Sequence, residues 1–292
     1  MAIDTVISYT EQDLVKLPPR PIDAHKGTFG RVVCLCGSHG MAGAAYLAGH
    51  AAYRMGAGLV EIVTPESNRT VLQTLLPEAI VTTYDDLSPD LRGILGAVAR
   101  ADALVVGCGL GTSSVSARVL EAVLPHATAP TVLDADALNL LAKRPHLHTY
   151  MRGKIITPHP MEAARLFGLS ADEIRTDIPA HAARFAESLG CICVLKDHRT
   201  AVAAPAHPLY QNTSGNSGMA TGGSGDVLAG ILGGILAQQK QLPAPDAYLA
   251  ATLGVYIHGL CGDHAASLLG ERSLMATDLI ATIPEILRIH CP

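Results

Sequence analysis

Short runs of aliphatic and β-branched residues alternate along this chain with longer stretches of small residues. The runs Val32–Cys36, Leu59–Thr64, Leu104–Val106, Thr131–Asp134, Lys154–Thr157 and Cys191–Lys196 are almost continuously apolar. That pattern fits strands buried on both faces of a parallel sheet. Ala44–Met55, Val115–Leu124, Met161–Phe167 and Ile178–Ser188 carry helical patterns between them. Such alternation predicts a mostly parallel α/β sheet with helices on both faces and right-handed crossovers. The stretch Cys191–Gln211 departs from it, reading as successive strands (with Ala201–Ala204 and Leu209–Gln211) joined by short turns, so antiparallel strands are expected late in the sheet. From Val227 onward the pattern is helical, and Ala247–Leu269 reads as a long alanine-rich core helix. With no linker, repeat or low-complexity tract in view, the expected organisation is a leader over 1–24 followed by one domain over 25–292.

Composition narrows the function. The chain has 292 residues, 16% of them charged, with a net charge of −5. No basic stripe suits a nucleic acid, and 4% aromatics without tryptophan leave little to stack bases on. Mean hydropathy is positive at +0.29. Even so, the longest apolar candidate, Val227–Ala237, falls well short of the roughly 18 residues that span a bilayer. The N-terminus carries acids and lacks the apolar core of a signal peptide, so a soluble cytoplasmic protein is expected. Seven cysteines are present; Cys34/Cys36 and Cys191/Cys193 have a spacing that puts both thiols on one strand face, as small buried hydrophobes rather than zinc ligands.

Chemistry is expected where glycine clusters fall at strand ends: "GSHGMAG" from Gly37, "GCGLG" from Gly107, and "TPHP" from Thr157. The densest cluster, Gly222-Gly223-Ser224-Gly225-Asp226, should be a turn feeding a helix N-terminus. Free amides and the helix dipole suit a phosphate there, and missing Cβ atoms let the backbone approach it. Asp226 then either caps the helix or acts as a base facing a hydroxyl. Other phosphate and nucleophile motifs fail on spacing. No P-loop sequence occurs, "GGSGD" lacks the last glycine of a nucleophile elbow, and Thr112 stands where a dinucleotide fingerprint needs its third glycine.

Several stretches together carry a resemblance. "HKGTFGRVVCLCGSHGMAGAAYLAGHAAYRMGAGLV", "VVGCGLGTS", "VLDADALNLLA", "IITPHPMEAARLFG", "VLKDHRTAV" and "NTSGNSGMATGGSGDVLAGILGGILAQ" resemble the ADP-dependent NAD(P)H-hydrate dehydratase family, in the same order from about His25 to His258. The resemblance implies a ribokinase-like fold and a repair reaction. ADP (or ATP), with Mg2+, phosphorylates the C6 hydroxyl of the S-epimer of hydrated NADH or NADPH (NADHX, NADPHX), and phosphate is then expelled. By match to the family, Asp226 is the catalytic residue and also contacts substrate; Ala44, Gly109 and His159 line the hydrated-nucleotide pocket. Lys196, Asp197, His198, Arg199 and Thr200 bind the AMP part of ADP, with Gly223 and Gly225 on the transferring phosphate. No direct metal ligand is assigned. A homotetramer is implied as well, and the small-residue helices with few charges suggest surfaces that need cover from a second chain. Many relatives have proline at the positions of Ala42 and Cys108, and glycine at Asp197.

Three further readings follow from the residues. A helix N-terminus lowers carboxylate basicity, so Asp226 is expected to orient a hydroxyl more than to act as a strong base. Of Asp134 and Asp136, one should cap the next helix while the other faces the site. His258, mid-helix in "VYIHGL", reads as a satisfied core histidine, and Glu162 as a first-turn helix acid. The rival functions are a small-alcohol kinase of the same superfamily (thiazole or hydroxymethylpyrimidine type) and a non-catalytic nucleotide sensor.

Overall fold

The computed structural model describes residues 5–290. The strands are β1 (Val6–Ile7), β2 (Arg31–Leu35), β3 (Leu59–Pro65), β4 (Ile80–Tyr84), β5 (Ala103–Val106) and β6 (Thr131–Leu133), then β7 (Ile155–Ile156), β8 (Ile192–Leu195), β9 (Ala201–Ala203) and β10 (Leu209–Gln211). They form one ten-stranded sheet in the order β1-β10-β9-β8-β7-β6-β5-β2-β3-β4. All pairings are parallel except β8 with β9 and β9 with β10, so the antiparallel section lies where the sequence pattern placed it. The segment before His25 joins the same body. Its β1 pairs in parallel with β10, and Leu14 is fully buried.

Helices cover both faces. On one lie α1 (Ala42–Arg54), α2 (Arg69–Leu75), α9 (Ser224–Gln238), α10 (Ala247–Leu269) and α11 (Ala276–His290). The other carries α3 (Leu91–Val98), α4 (Ser114–Val123), α5 (Asp136–Ala142), α6 (Pro160–Phe167), α7 (Ala171–Thr176) and α8 (Ile178–Leu189). Val32 and Cys34 of β2 enter the first core while Val33 and Leu35 enter the second, which is why the strand reads as an unbroken apolar run.

One helix positions the site. Helix α9 is apolar on every side, with Val227–Gln238 buried throughout, because it is wedged between α1, α10 and the sheet. Its glycines make the wedge possible. A Cβ on Gly230 would come 2.2 Å from the Ala48 carbonyl oxygen, and one on Gly233 would come 2.6 Å from Val105 Cγ2. That packing also begins the helix at Ser224 rather than near Val227, so Ser224, Gly225 and Asp226 form its first turn. Because the chain itself covers α9, the composition of that helix carries no information about subunit contacts.

Candidate active site

The first turn of α9 meets the ends of β5, β6, β7 and β8. Gly223 is the N-cap, at φ +90°, and makes no side-chain cap bond. Among the described residues no acceptor pairs with the amides of Gly225 and Asp226, the donors a helix start leaves for a ligand. The missing Cβ of Gly223 has a packing reason, since it would lie 2.5 Å from Leu47 Cδ1. Gly225 faces the site instead. A Cβ there would come 3.3 Å from Lys196 Nζ and 3.9 Å from Asp134 Oδ2.

Asp134 is the hub. It is buried after β6, presented by a backbone kink at Ala135 with φ 48° and ψ −114°, a region non-glycine residues rarely enter. Its Oδ1 accepts from Thr157 Oγ1 at 2.6 Å and from Lys196 Nζ at 2.8 Å. Glu162 Oε2 lies 3.9 Å from the same ammonium. Burial opposes the lysine's charge, but Asp134 and Glu162 outweigh it and hold the Lys196 pKa above its usual value. Neither Asp134 nor Asp136 caps α5, whose N-cap is Ala135. Asp136 stands one residue too far in, and its Oδ2 accepts from the Gly111 amide at 2.8 Å, tying the β5–α4 loop to α5.

Asp226, Asp134 and Cys108 each place one donor atom within 4.8 Å of the others. Burial first, then the Asp134 charge, raises the Asp226 pKa to about 7. This overturns the expectation of a weakened base, because desolvation and a like charge exceed the helix-dipole effect. Its carboxylate is therefore more basic than that of an exposed aspartate.

Ala44 and Gly109 adjoin each other; a Cβ on Gly109 would sit 2.7 Å from Ala44 Cβ. His159 is the N-cap of α6, its Nδ1 accepting from the amides of Met161 at 3.1 Å and Glu162 at 3.4 Å. That leaves the proton on Nε2, which faces Glu162 Oε1 at 3.3 Å. Burial first, then Lys196, lowers its pKa to about 4. Glu162 completes the capping box and is indeed a first-turn acid.

Asp197 to Thr200 form the β8–β9 turn. It is closed by Thr200 Oγ1 donating to the Asp197 carbonyl at 3.1 Å and by the His198 amide on Asp197 Oδ1 at 2.6 Å. Asp197 is not among the positive-φ residues, so a side chain is tolerated where relatives carry glycine. Sequence reasoning missed Thr157 and the link between Ser224 and His258. The Ser224 hydroxyl lies 3.3 Å from His258 Nε2, so His258 is satisfied, but by a residue of the glycine-rich motif. All six described cysteines are buried and unpaired, as the spacing suggested; Cys291 lies outside the described residues.

A buried carboxylate, a lysine and free helix amides gather at the carboxyl ends of a doubly wound sheet, the place where the ribokinase-like class of folds holds its ligands. The particular family follows from comparison: the profile of the NAD(P)H-hydrate dehydratase family matches residues 32–285, and the chain belongs to that family. It is 42% identical over 272 residues to a bifunctional NAD(P)H-hydrate repair enzyme of Escherichia coli, covering 92% of this chain and 50% of the other. An ADP-dependent (S)-NAD(P)H-hydrate dehydratase of Neisseria meningitidis is 39% identical over 266 residues, covering 90% of this chain and 84% of its own length. The ADP/ATP-dependent NAD(P)H-hydrate dehydratase of Bacillus subtilis, co-crystallised with ATP and Mg2+, superposes with a TM-score of 0.84 at 31% identity, covering 99% of this chain and all of that one. The chain spans about half the length of the bifunctional relatives it matches.

Proposed function

We propose that this chain repairs hydrated NADH and NADPH, consuming ADP (or ATP) to dehydrate the S-epimer. The observation that carries the reading is Asp226, a carboxylate poised near pH 7 in the same helical turn as the two free amides and within reach of the Lys196 pocket. Asp226 takes the proton of the C6 hydroxyl as that oxygen attacks the terminal phosphorus of ADP, and AMP leaves with the bridging oxygen. The amides of Gly225 and Asp226 and the Lys196 ammonium hold the phosphate and offset its charge. The ring nitrogen's lone pair then expels phosphate from C6, and loss of a C5 proton restores the dihydropyridine.

In this reading Gly223, Gly225 and Lys196–Thr200 bind the nucleotide, while Ala44, Gly109, His159 and Asp226 bind the hydrated ring. Magnesium carried with the nucleotide would be held by the hard oxygen Asp134 Oδ2, whose one contact among the described residues is a weak 3.7 Å hydrogen bond from the Cys108 thiol, and would add positive charge beside the phosphates; the soft thiol would not ligate it. Among the described residues no helix is long and apolar enough to cross a membrane. We place the enzyme in the cytoplasm, as a homotetramer whose sedimentation as a monomer would overturn that part of the proposal.

The decisive assay incubates the protein with hydrated NADH, ADP and magnesium and follows the absorbance of the reduced nicotinamide. Recovery is expected; no recovery with either ADP or ATP rejects the reading. The family match sets the small-alcohol kinase aside.

A further inference from the structure

A cleft of about 580 Å³ opens beside the site on the α5–α6 side, lined by Thr112, Asp136, Asn139, Ala142, Lys143 and Arg165. Two cations border it, and among the described residues neither has a carboxylate partner. Arg165 Nη1 donates to the amide oxygen of Asn139 at 3.0 Å, and no ion pair involves Lys143. The adjacent Arg144 shows the contrast, being spent on Glu121 at 2.7 Å. The single acid, Asp136, is already occupied, with one oxygen on the Gly111 amide at 2.8 Å and the other on Asn139 Nδ2 at 3.3 Å. In a chain of net charge −5, two cations against one acid give this cleft a local excess of positive charge.

Two links join the cleft to the substrate side of the site. The Gly111–Asp136 bond anchors the loop that carries Gly109. Helix α6, which bears Arg165, begins directly after His159, and the Arg165 charge is among those that depress the His159 pKa. The cleft spans the ends of β5, β6 and β7, and the Lys196–Thr200 turn follows β8, the next strand. A ring held between Gly109, His159 and Asp226 therefore has this cleft beside it, along α5 and α6.

We propose that the cleft binds a phosphate of the hydrated dinucleotide outside its reacting ring, through Arg165 and Lys143. The inference rests on the dehydratase reading. The diphosphate bridge and the 2′-phosphate of the NADPH form share the required chemistry, and a single experiment separates them. The double variant Arg165→Ala with Lys143→Ala changes two exposed side chains and is expected to melt as the parent does. Its KM for NADPHX should rise about tenfold with kcat and the KM for ADP held, since charge-assisted bonds to phosphate are lost. A rise confined to NADPHX assigns the 2′-phosphate; an equal rise for NADHX assigns the bridge. An unchanged KM for both, or a raised KM for ADP instead, overturns the proposal. Calorimetric titration of parent and variant with NADPH and NADH reads the cleft without catalysis. Weaker binding of these products to the variant upholds the cleft even if turnover is absent, and equal binding removes it.

Discussion

Asp134 and Asp226 hold carboxylate oxygens within 4.8 Å of one another, and only Asp134 has a lysine bonded to it. The pair therefore shares one countercharge, and Asp226 is the member left with a raised pKa, at about 7. Because the base works deprotonated, kcat/KM should fall about tenfold per unit as pH drops below about 7. Asp134→Asn removes the like charge and frees Lys196, both of which lower the Asp226 pKa. The acid limb of the pH–rate profile should then move to lower pH; an unmoved limb would show that the two acids are not coupled.

Asp226→Asn should abolish turnover, by at least about a hundredfold, while AMP binding measured by calorimetry stays close to the parent value. An amide keeps the shape and cannot take the proton. The same variant has a stability signature. A folded pKa of about 7 against an ordinary aspartate value of 3.8 means that Asp226 favours folding below about pH 4 and loses that contribution as pH rises through about 7. Asp226→Asn should thus gain on the parent between pH 4 and pH 8, by up to about 4 kcal/mol in denaturant melts. A constant difference across that range would contradict the raised pKa.

Adjacent glycines of the motif should separate by phenotype. Gly223→Ala meets both a positive φ of +90° and Leu47 Cδ1 at 2.5 Å, so a loss of about 1–3 kcal/mol is expected in thermal melts. Nothing lies within 4 Å of a Cβ on Gly222. Gly222→Ala should melt within about 0.5 kcal/mol of the parent while raising the KM for ADP, because only a bound phosphate would meet the new methyl. An unchanged KM for ADP would place the phosphate elsewhere.

His258 and Ser224 couple two helices at the site. Burial lowers the His258 pKa to about 4, so its ring is neutral at working pH. His258→Leu strands the Ser224 hydroxyl, at a cost of about 1–3 kcal/mol, and should lower kcat by loosening the turn that carries Asp226. His258→Gln should recover much of that kcat, since a side-chain amide can still reach Ser224. Failure of glutamine to recover kcat, with stability restored, would remove His258 from the positioning of Asp226.

The legible part of this protein is the part governed by continuous burial. All six nearly continuous apolar runs become strands, because each faces a core on both sides. Strand β4, "IVTTY", sits at the sheet edge with half-exposed positions and has no such run. Strand β1 is only two residues long and exists through its pairing with β10, some 200 residues away. For the site, the glycine-rich motif at the start of α9 and "TPHP" after β7 come together around Asp134, but the raised basicity of Asp226 needs Asp134 beside it, and nothing within "LDADALN" shows which acid turns inward. The start of α9 was hidden for a related reason. Three consecutive turn-forming residues are helical there because packing against α1 overrides their propensity.

The six described thiols are all shielded, but they lie in two different layers: Cys34, Cys36, Cys108 and Cys261 on the α1–α9–α10 side, Cys191 and Cys193 on the α8 side. Alkylating reagents can reach them only when a layer lifts off the sheet, so the order in which they are labelled records which half of the molecule breathes first.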